Sequence, residues 1–408
     1  MSELPERWDP RRVALNRDDK NEFLLRPGQI LAGPGDAADV QKVLADWKPR
    51  DRGPFGVTLF ERAPQDPKNA AQEVLETLAR IRKATSGRPQ GPARVAPNHV
   101  LVGEGITLTG EPRIRGGTGS CVRVATPPRA LPRRTKNAGD GKGVKIAVLD
   151  TGLFKHQWLQ SVQHAPNAAD VWDVDNDQYA DAESGHGTFI AGLILQVAPA
   201  AEVYVVKVLD SHGVGDDLTV AQAIEQLPND VDIINLSLGG YTDDDSAPLA
   251  IAVALNALRK QRKAVVAAAG NANQPRPFWP AAFKRVLGVG AVDQSKDGHW
   301  RRADFSNHGW WVDATARGVN LQSTFTKGKT KAATGDQPDP ADPWIAFDGW
   351  AAWDGTSFAT PIAAALIARA MTRDNLPNAA DAQAHLQTTA PPAPQPDFPL
   401  AVLLDELG

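Results

Sequence analysis

One cysteine, Cys121, stands among the 408 residues, so the chain forms no intrachain disulfide and its fold needs no oxidising compartment. Long apolar runs are missing too: none approaches the roughly 18 residues of a membrane-spanning helix, so no membrane partner is expected. The opening MSELPERWDPRR lacks the apolar core of a signal peptide. Together these absences lead to the expectation of a cytoplasmic protein. An excess of either charge is also lacking. Lys+Arg 44 against Asp+Glu 48 leaves a net −4, too little to wrap nucleic acid by bulk charge, and no nucleic-acid partner is expected. Clustered Cys/His ligands are absent, so neither a cofactor nor a metal is expected. A missed cation site would fall among Asp170, Asp173, Asp175, Asp177 and Asp181. GDGKGVK (139–145) is not a phosphate loop, and GTSFA is not the nucleophile elbow of esterases.

The length holds two or three domains at roughly 150 residues each. Residues 22–31, 55–61 and 94–102 read as strands, with helices predicted over 36–47 and 69–85. This alternation predicts a small α/β or α+β unit. Residues 103–142 carry no sustained period. From 113 to 145 they hold nine basic residues, Arg133 and Arg134 among them, against the single acid Asp140. Five apolar, β-branched runs follow at 144–150, 202–210, 231–239, 264–270 and 285–293, with helical patterns at 187–195, 217–227 and 246–262. Apolar strands separated by helices predict a doubly wound, mostly parallel sheet covered on both faces. In such sheets functional groups gather at the carboxyl ends of strands.

Four polar residues stand at element boundaries: Asp150 and Asn271 end strands in AVLDTG and AAAGN, and His186 and Ser357 open apolar helices in SGHGTFIAG and DGTSFATP. Acid, imidazole, amide and hydroxyl are the parts that acyl transfer requires. A serine needs a base to take its proton, an imidazole can take and return it, and a carboxylate can fix the ring. The amide would donate to the oxyanion.

In this order the segments AVLDTG, GHGT, AAAGN and GTSFATP resemble the subtilisin family of serine endopeptidases over about 143–371. The resemblance implies Asp150, His186 and Ser357 as catalytic residues and Asn271 in the oxyanion hole. It also implies a substrate strand lying between Gly213, Val214 and Gly215 on one side and Ser237, Leu238 and Gly239 on the other. Phe278 falls where relatives set the floor of the primary pocket, which implies a shallow pocket. The asparagine-rich calcium loop of many secreted members is missing after Leu195-Gln196. The resemblance further implies a ferredoxin-like propeptide domain over 1–110, a basic linker over 111–142, a catalytic domain over 143–375, and a C-terminal helix and Pro-rich tail over 376–408.

The expected partners are peptide or protein substrates, basic segments included, with the chain's own N-terminal domain and linker as intramolecular inhibitor. The basic preference is expected from three acidic clusters taken to rim the groove: Asp170 to Glu183, Asp216-Asp217 and Asp243 to Asp245. Two other readings stand beside the enzyme. One is a catalytically silent peptide-binding module, and the other a nucleic-acid binder acting through its basic linker. The Trp- and Asp-rich insertion at 326–350 has no role derivable from the sequence.

Overall fold

The computed structural model describes residues 9, 11–16, 21–103, 123–125, 138–176, 178, 180–331, 344–394, 397–398 and 401–404. Cys121, Asp177, Arg133, Arg134 and most of the basic linker lie outside the described residues.

The N-terminal unit runs β1 (Ala14–Asn16), β2 (Phe23–Ala32), α1 (Ala37–Val43), β3 (Lys48–Arg52), β4 (Thr58–Glu61), α2 (Ala70–Ala84) and β5 (Val95–Val102). Its strands pair antiparallel in the order β5-β2-β4-β3, with β1 added against β2. This is the ferredoxin-like arrangement the resemblance implies. α2 buries Val74, Leu78 and Ile81, the stripe its period predicts, and packs on β2 and β5. β3 escapes the sequence reading because KPRDR has neither apolar alternation nor β-branched residues, and α1 stops well short of residue 47.

After β6 (Arg123–Val124), the chain continues through β7 (Lys145–Asp150), β8 (Gln163–His164), α3 (His186–Val197), β9 (Glu202–Lys207), β10 (Val214–Asp216), α4 (Asp217–Gln226), β11 (Ile233–Leu236), α5 (Leu249–Ala257), β12 (Ala264–Ala268), β13 (Leu287–Gln294), β14 (Trp300–Arg302) and β15 (Ala314–Arg317). It ends with β16 (Leu321–Lys331), β17 (Trp344–Trp353), α6 (Thr356–Arg373), α7 (Ala379–Thr389) and β18 (Val402–Leu404). The main sheet has the order β18-β15-β13-β12-β11-β7-β9-β8, and only β14, against β13, is antiparallel. Alternate residues of β7 serve opposite faces. Ile146 and Val148 join the core under α3 and α6, while Ala147 and Leu149 join the core shared with α4, α5 and the N-terminal unit. The predicted two-faced parallel sheet is therefore the observed one. The described parts of the 326–350 insertion, 326–331 and 344–350, belong to β16 and β17, which pair antiparallel and to which β6 adds a third strand.

The N-terminal sheet does not end at β5. β10 pairs with it antiparallel, Val214 opposite Val102 and Asp216 opposite Val100. Arg26 bridges to Asp216 at 2.9 Å, and Arg276 reaches the Glu22 carbonyl at 2.6 Å. His99 on β5 is buried, and its Nε2 accepts the Asp243 N–H at 3.2 Å. Burial pushes its pKa down from 6.5 to about 3. Between those values the unfolded chain binds the proton that the folded one refuses, so stability falls as pH drops below about 6.5. Acidification toward pH 4 is expected to loosen the N-terminal unit, read as lower Tm and faster limited proteolysis. His99→Gln should flatten that dependence.

Candidate active site

Asp150 closes β7, and its carboxylate takes the Thr151 N–H at 2.7 Å. The same carboxylate meets Nδ1 of His186 at 2.8 and 3.0 Å, both residues being fully buried. His186 is the first residue of α3, preceded by Gly185 at φ +86. A side chain at Gly185 would run into the Phe325 ring, and one at Gly187 into the Gly152 carbonyl. The glycines flanking His186 are thus what brings the imidazole onto Asp150. Trp353 and Phe358 stand against the imidazole, with ring centroids at 5.5 and 5.1 Å. Nothing local in the motifs of these two aromatics points toward the histidine, and their contact with it is seen only in the fold.

Ser357 is the second residue of α6. Its Oγ donates to the Ser237 carbonyl at 3.0 Å, and Ser237 Oγ donates back to the Ser357 carbonyl at 2.8 Å. Pro361, four residues on, has no N–H to give that carbonyl, and the Ser237 hydroxyl supplies the missing donor. Ser237, expected only as a wall of the groove, also anchors the serine loop. Asn271 Oδ1 accepts the Thr356 N–H at 3.0 Å, which turns its NH2 edge away from Thr356, one residue from Ser357.

The two implied walls stand on either side of β5. Val102 exchanges hydrogen bonds with Gly239 at 2.8 and 3.0 Å, and the Gly103 N–H reaches the Gly213 carbonyl at 2.8 Å. Val100 to Gly103 therefore lies as a strand between Val214–Asp216 and Gly239. Its carboxyl end runs toward Ser237, because Val102 opposite Gly239 sets an antiparallel course. Leu238 turns its side chain into the core. Phe278 packs on Tyr241 at 5.2 Å and stands against Gly239 and Gly270.

Several of the acids expected to rim the groove serve the fold instead. Asp217 is fully buried and caps α5, accepting the Ala250 and Ile251 N–H groups at 2.9 and 2.8 Å, and burial raises its pKa to about 7. Asp216 is the N-cap of α4 and pairs with Arg26. Asp245 pairs with Arg276. Asp170 is buried beneath the site, where it accepts from Thr151 Oγ1 (2.9 Å), Gly185 N (2.8 Å) and Val171 N (2.8 Å). Desolvation lifts its pKa to about 6 against the opposing charge of Lys207. These acids serve as caps and anchors because each stands next to unsatisfied backbone N–H groups or an arginine. Asp173, Asp175 and Asp181 each bring one oxygen within 4.8 Å of the others, the one such acidic trio among the described residues.

The model of the subtilase family matches residues 141–402. The chain belongs to the subtilase family, the subtilisin-like serine peptidases. It is 37% identical to a thermostable alkaline protease of Halalkalibacterium halodurans over 205 residues, 48% of this chain and 53% of that one. It is 35% identical to subtilisin Savinase of Lederbergia lenta over 61% of this chain and 84% of the relative. The chain thus spans about half the length of the first of these relatives. The crystal structure of fervidolysin from Fervidobacterium pennivorans, a keratinolytic enzyme related to subtilisin, has the same fold. It superposes with a TM-score of 0.63 at 20% identity, covering 99% of this chain and 63% of that one. No described helix is long and apolar enough to cross a membrane.

Asp170→Ala would strand three donors beneath the subtilase site. A loss of about 3 kcal/mol, read as a lowered Tm, is expected.

Proposed function

We propose that the chain is a serine endopeptidase that hydrolyses peptide bonds through an acyl-enzyme and is restrained by its own N-terminal unit. The observation that carries this reading is the buried Asp150–His186 bond beside Ser357 and Asn271, with a strand of the chain itself led toward them. Ser357 Oγ attacks the scissile carbonyl and gives its proton to His186 Nε2, exchanging its present bond to Ser237 for one to the imidazole. Asp150 holds Nδ1 and stabilises the imidazolium. The Asn271 amide and the Ser357 N–H at the α6 terminus receive the oxyanion. His186 returns the proton to the leaving amine. A water, deprotonated by the same imidazole, then releases the acyl group and regenerates the serine.

Substrates add as a strand between Gly213–Gly215 and Ser237–Gly239, the place taken by Val100–Gly103. Phe278 gives the primary pocket a shallow floor that favours small or unbranched residues. The N-terminal unit, residues 1–110, acts as the intramolecular inhibitor. Arg133 and Arg134 of the linker, which from sequence shares in that inhibition, lie outside the described residues, whereas Val100–Gly103 stands between the groove walls. The single cysteine accords with a cytoplasmic setting, which fractionation of the source cells tests.

Ser357→Ala should abolish turnover, with a loss near 10⁶ in kcat by the magnitude known for subtilisin. Asn271→Ala should lower kcat by roughly 10²–10³ with little change in KM, again a figure carried over from that relative. Active-site titration with a fluorophosphonate followed by kinetics on peptide substrates measures both. Incubation of the intact chain should yield a new amino terminus within a few residues after Gly103, found by terminal sequencing. Failure of the fluorophosphonate to label Ser357 would instead favour a silent peptide-binding module.

A further inference from the structure

Among the acids expected along the groove, Glu183 stands directly against Gly103 of the strand lying there. It occupies the turn before His186. Its N–H bonds to the Ser211 carbonyl at 3.0 Å, and its own carbonyl accepts the His186 N–H at 3.1 Å. The side chain is almost wholly buried, with Oε2 3.7 Å from His186 Nε2. Two glycines set its place. At Gly213, φ +77, any Cβ would collide with Glu183 Cγ, so the wall of the groove closes directly on the carboxylate's stem. On the groove side lies Gly103, whose N–H bonds to the Gly213 carbonyl. A Cβ on Gly103 would point at Glu183, 3.2 Å from Cγ and 3.3 Å from Cδ and Oε2.

We propose that Glu183 is the specificity-determining residue for the substrate position held here by Gly103, where it selects glycine or a basic side chain. This inference rests on the endopeptidase reading above and adds a substrate class to it. Glycine fits without displacing the carboxylate. A lysine or arginine shifts Glu183 by a few tenths of an ångström and brings a cation onto Oε2, forming a charge-assisted hydrogen bond in a water-poor cleft. A leucine demands the same shift and covers the carboxylate with hydrocarbon, and a glutamate sets like charges together. The strand geometry makes this a local effect, since neighbouring residues of an extended substrate point to opposite sides. The expected basic preference of the groove thus contracts from three clusters to one carboxylate at one position.

The test uses fluorogenic peptides spanning residues 97–108 of this chain, with Gly, Lys, Arg, Leu or Glu in place of Gly103, and the full-length protein after incubation. The ratio of kcat/KM for the Lys or Arg peptide to that for the Leu peptide is expected to exceed about tenfold in the parent and to collapse toward unity in Glu183→Gln. Taking the ratio within each preparation cancels a partly folded fraction. It also cancels any effect of Glu183 on the imidazole, which moves all peptides together. Equal ratios in parent and variant, or a parent that prefers the Leu peptide, would overturn the role of Glu183 and leave the protease reading intact. No hydrolysis of any peptide, combined with no fluorophosphonate labelling of Ser357, would overturn the protease reading and this inference with it.

Discussion

A strand that has to satisfy its backbone on both sides organises this molecule. Val100–Gly103 lies between Val214–Asp216 and Gly239, and its N–H and C=O groups find partners on each wall. Without that strand both walls would be open edges in need of a partner, and the chain provides one from its own N-terminal sheet. Because β10 belongs to that sheet while α4 starts directly after it, the N-terminal unit and the main sheet share one hydrophobic cluster. The position of the acid, the imidazole and the hydroxyl then follows from where parallel strands end and helices begin.

Much of the fold was legible because its parallel strands are buried on both faces and read as continuous apolar runs. VKIAVLD is the clearest case: its alternate residues feed two different cores, so no polar residue interrupts it between Lys145 and Asp150. β3 was not legible, since a short, polar strand with a proline sends no periodic signal. In the site, Asp150, His186, Asn271 and Ser357 stand out because each sits in a glycine-bounded motif. Trp353 gives no such signal, being one of several tryptophans in an insertion-rich stretch, and its contact with the imidazole is made only in three dimensions.

The acids show the limit of reading charge along a line. Asp216 and Asp217 are adjacent in sequence and do separate structural work, one capping its own helix and facing Arg26, the other buried under the next helix. Asp170 spends its carboxylate on three donors around the histidine turn. A count of negative residues near a groove therefore overstates the field, because backbone N–H groups have already claimed most of it.

β18 gives the main sheet an order of assembly in time. Val402–Leu404 pairs parallel with β15, whose other side is already held by β13. The sheet thus stays open along one edge until residues 402–404 have been made, long after Asp150, His186 and Asn271 have left the ribosome. Ser357, on the helix packed against β15, belongs to the same late portion. Closure of the sheet and arrival of the nucleophile are therefore neighbouring events. During synthesis the nascent chain passes through a long interval in which every other part of the site exists without its reactive group.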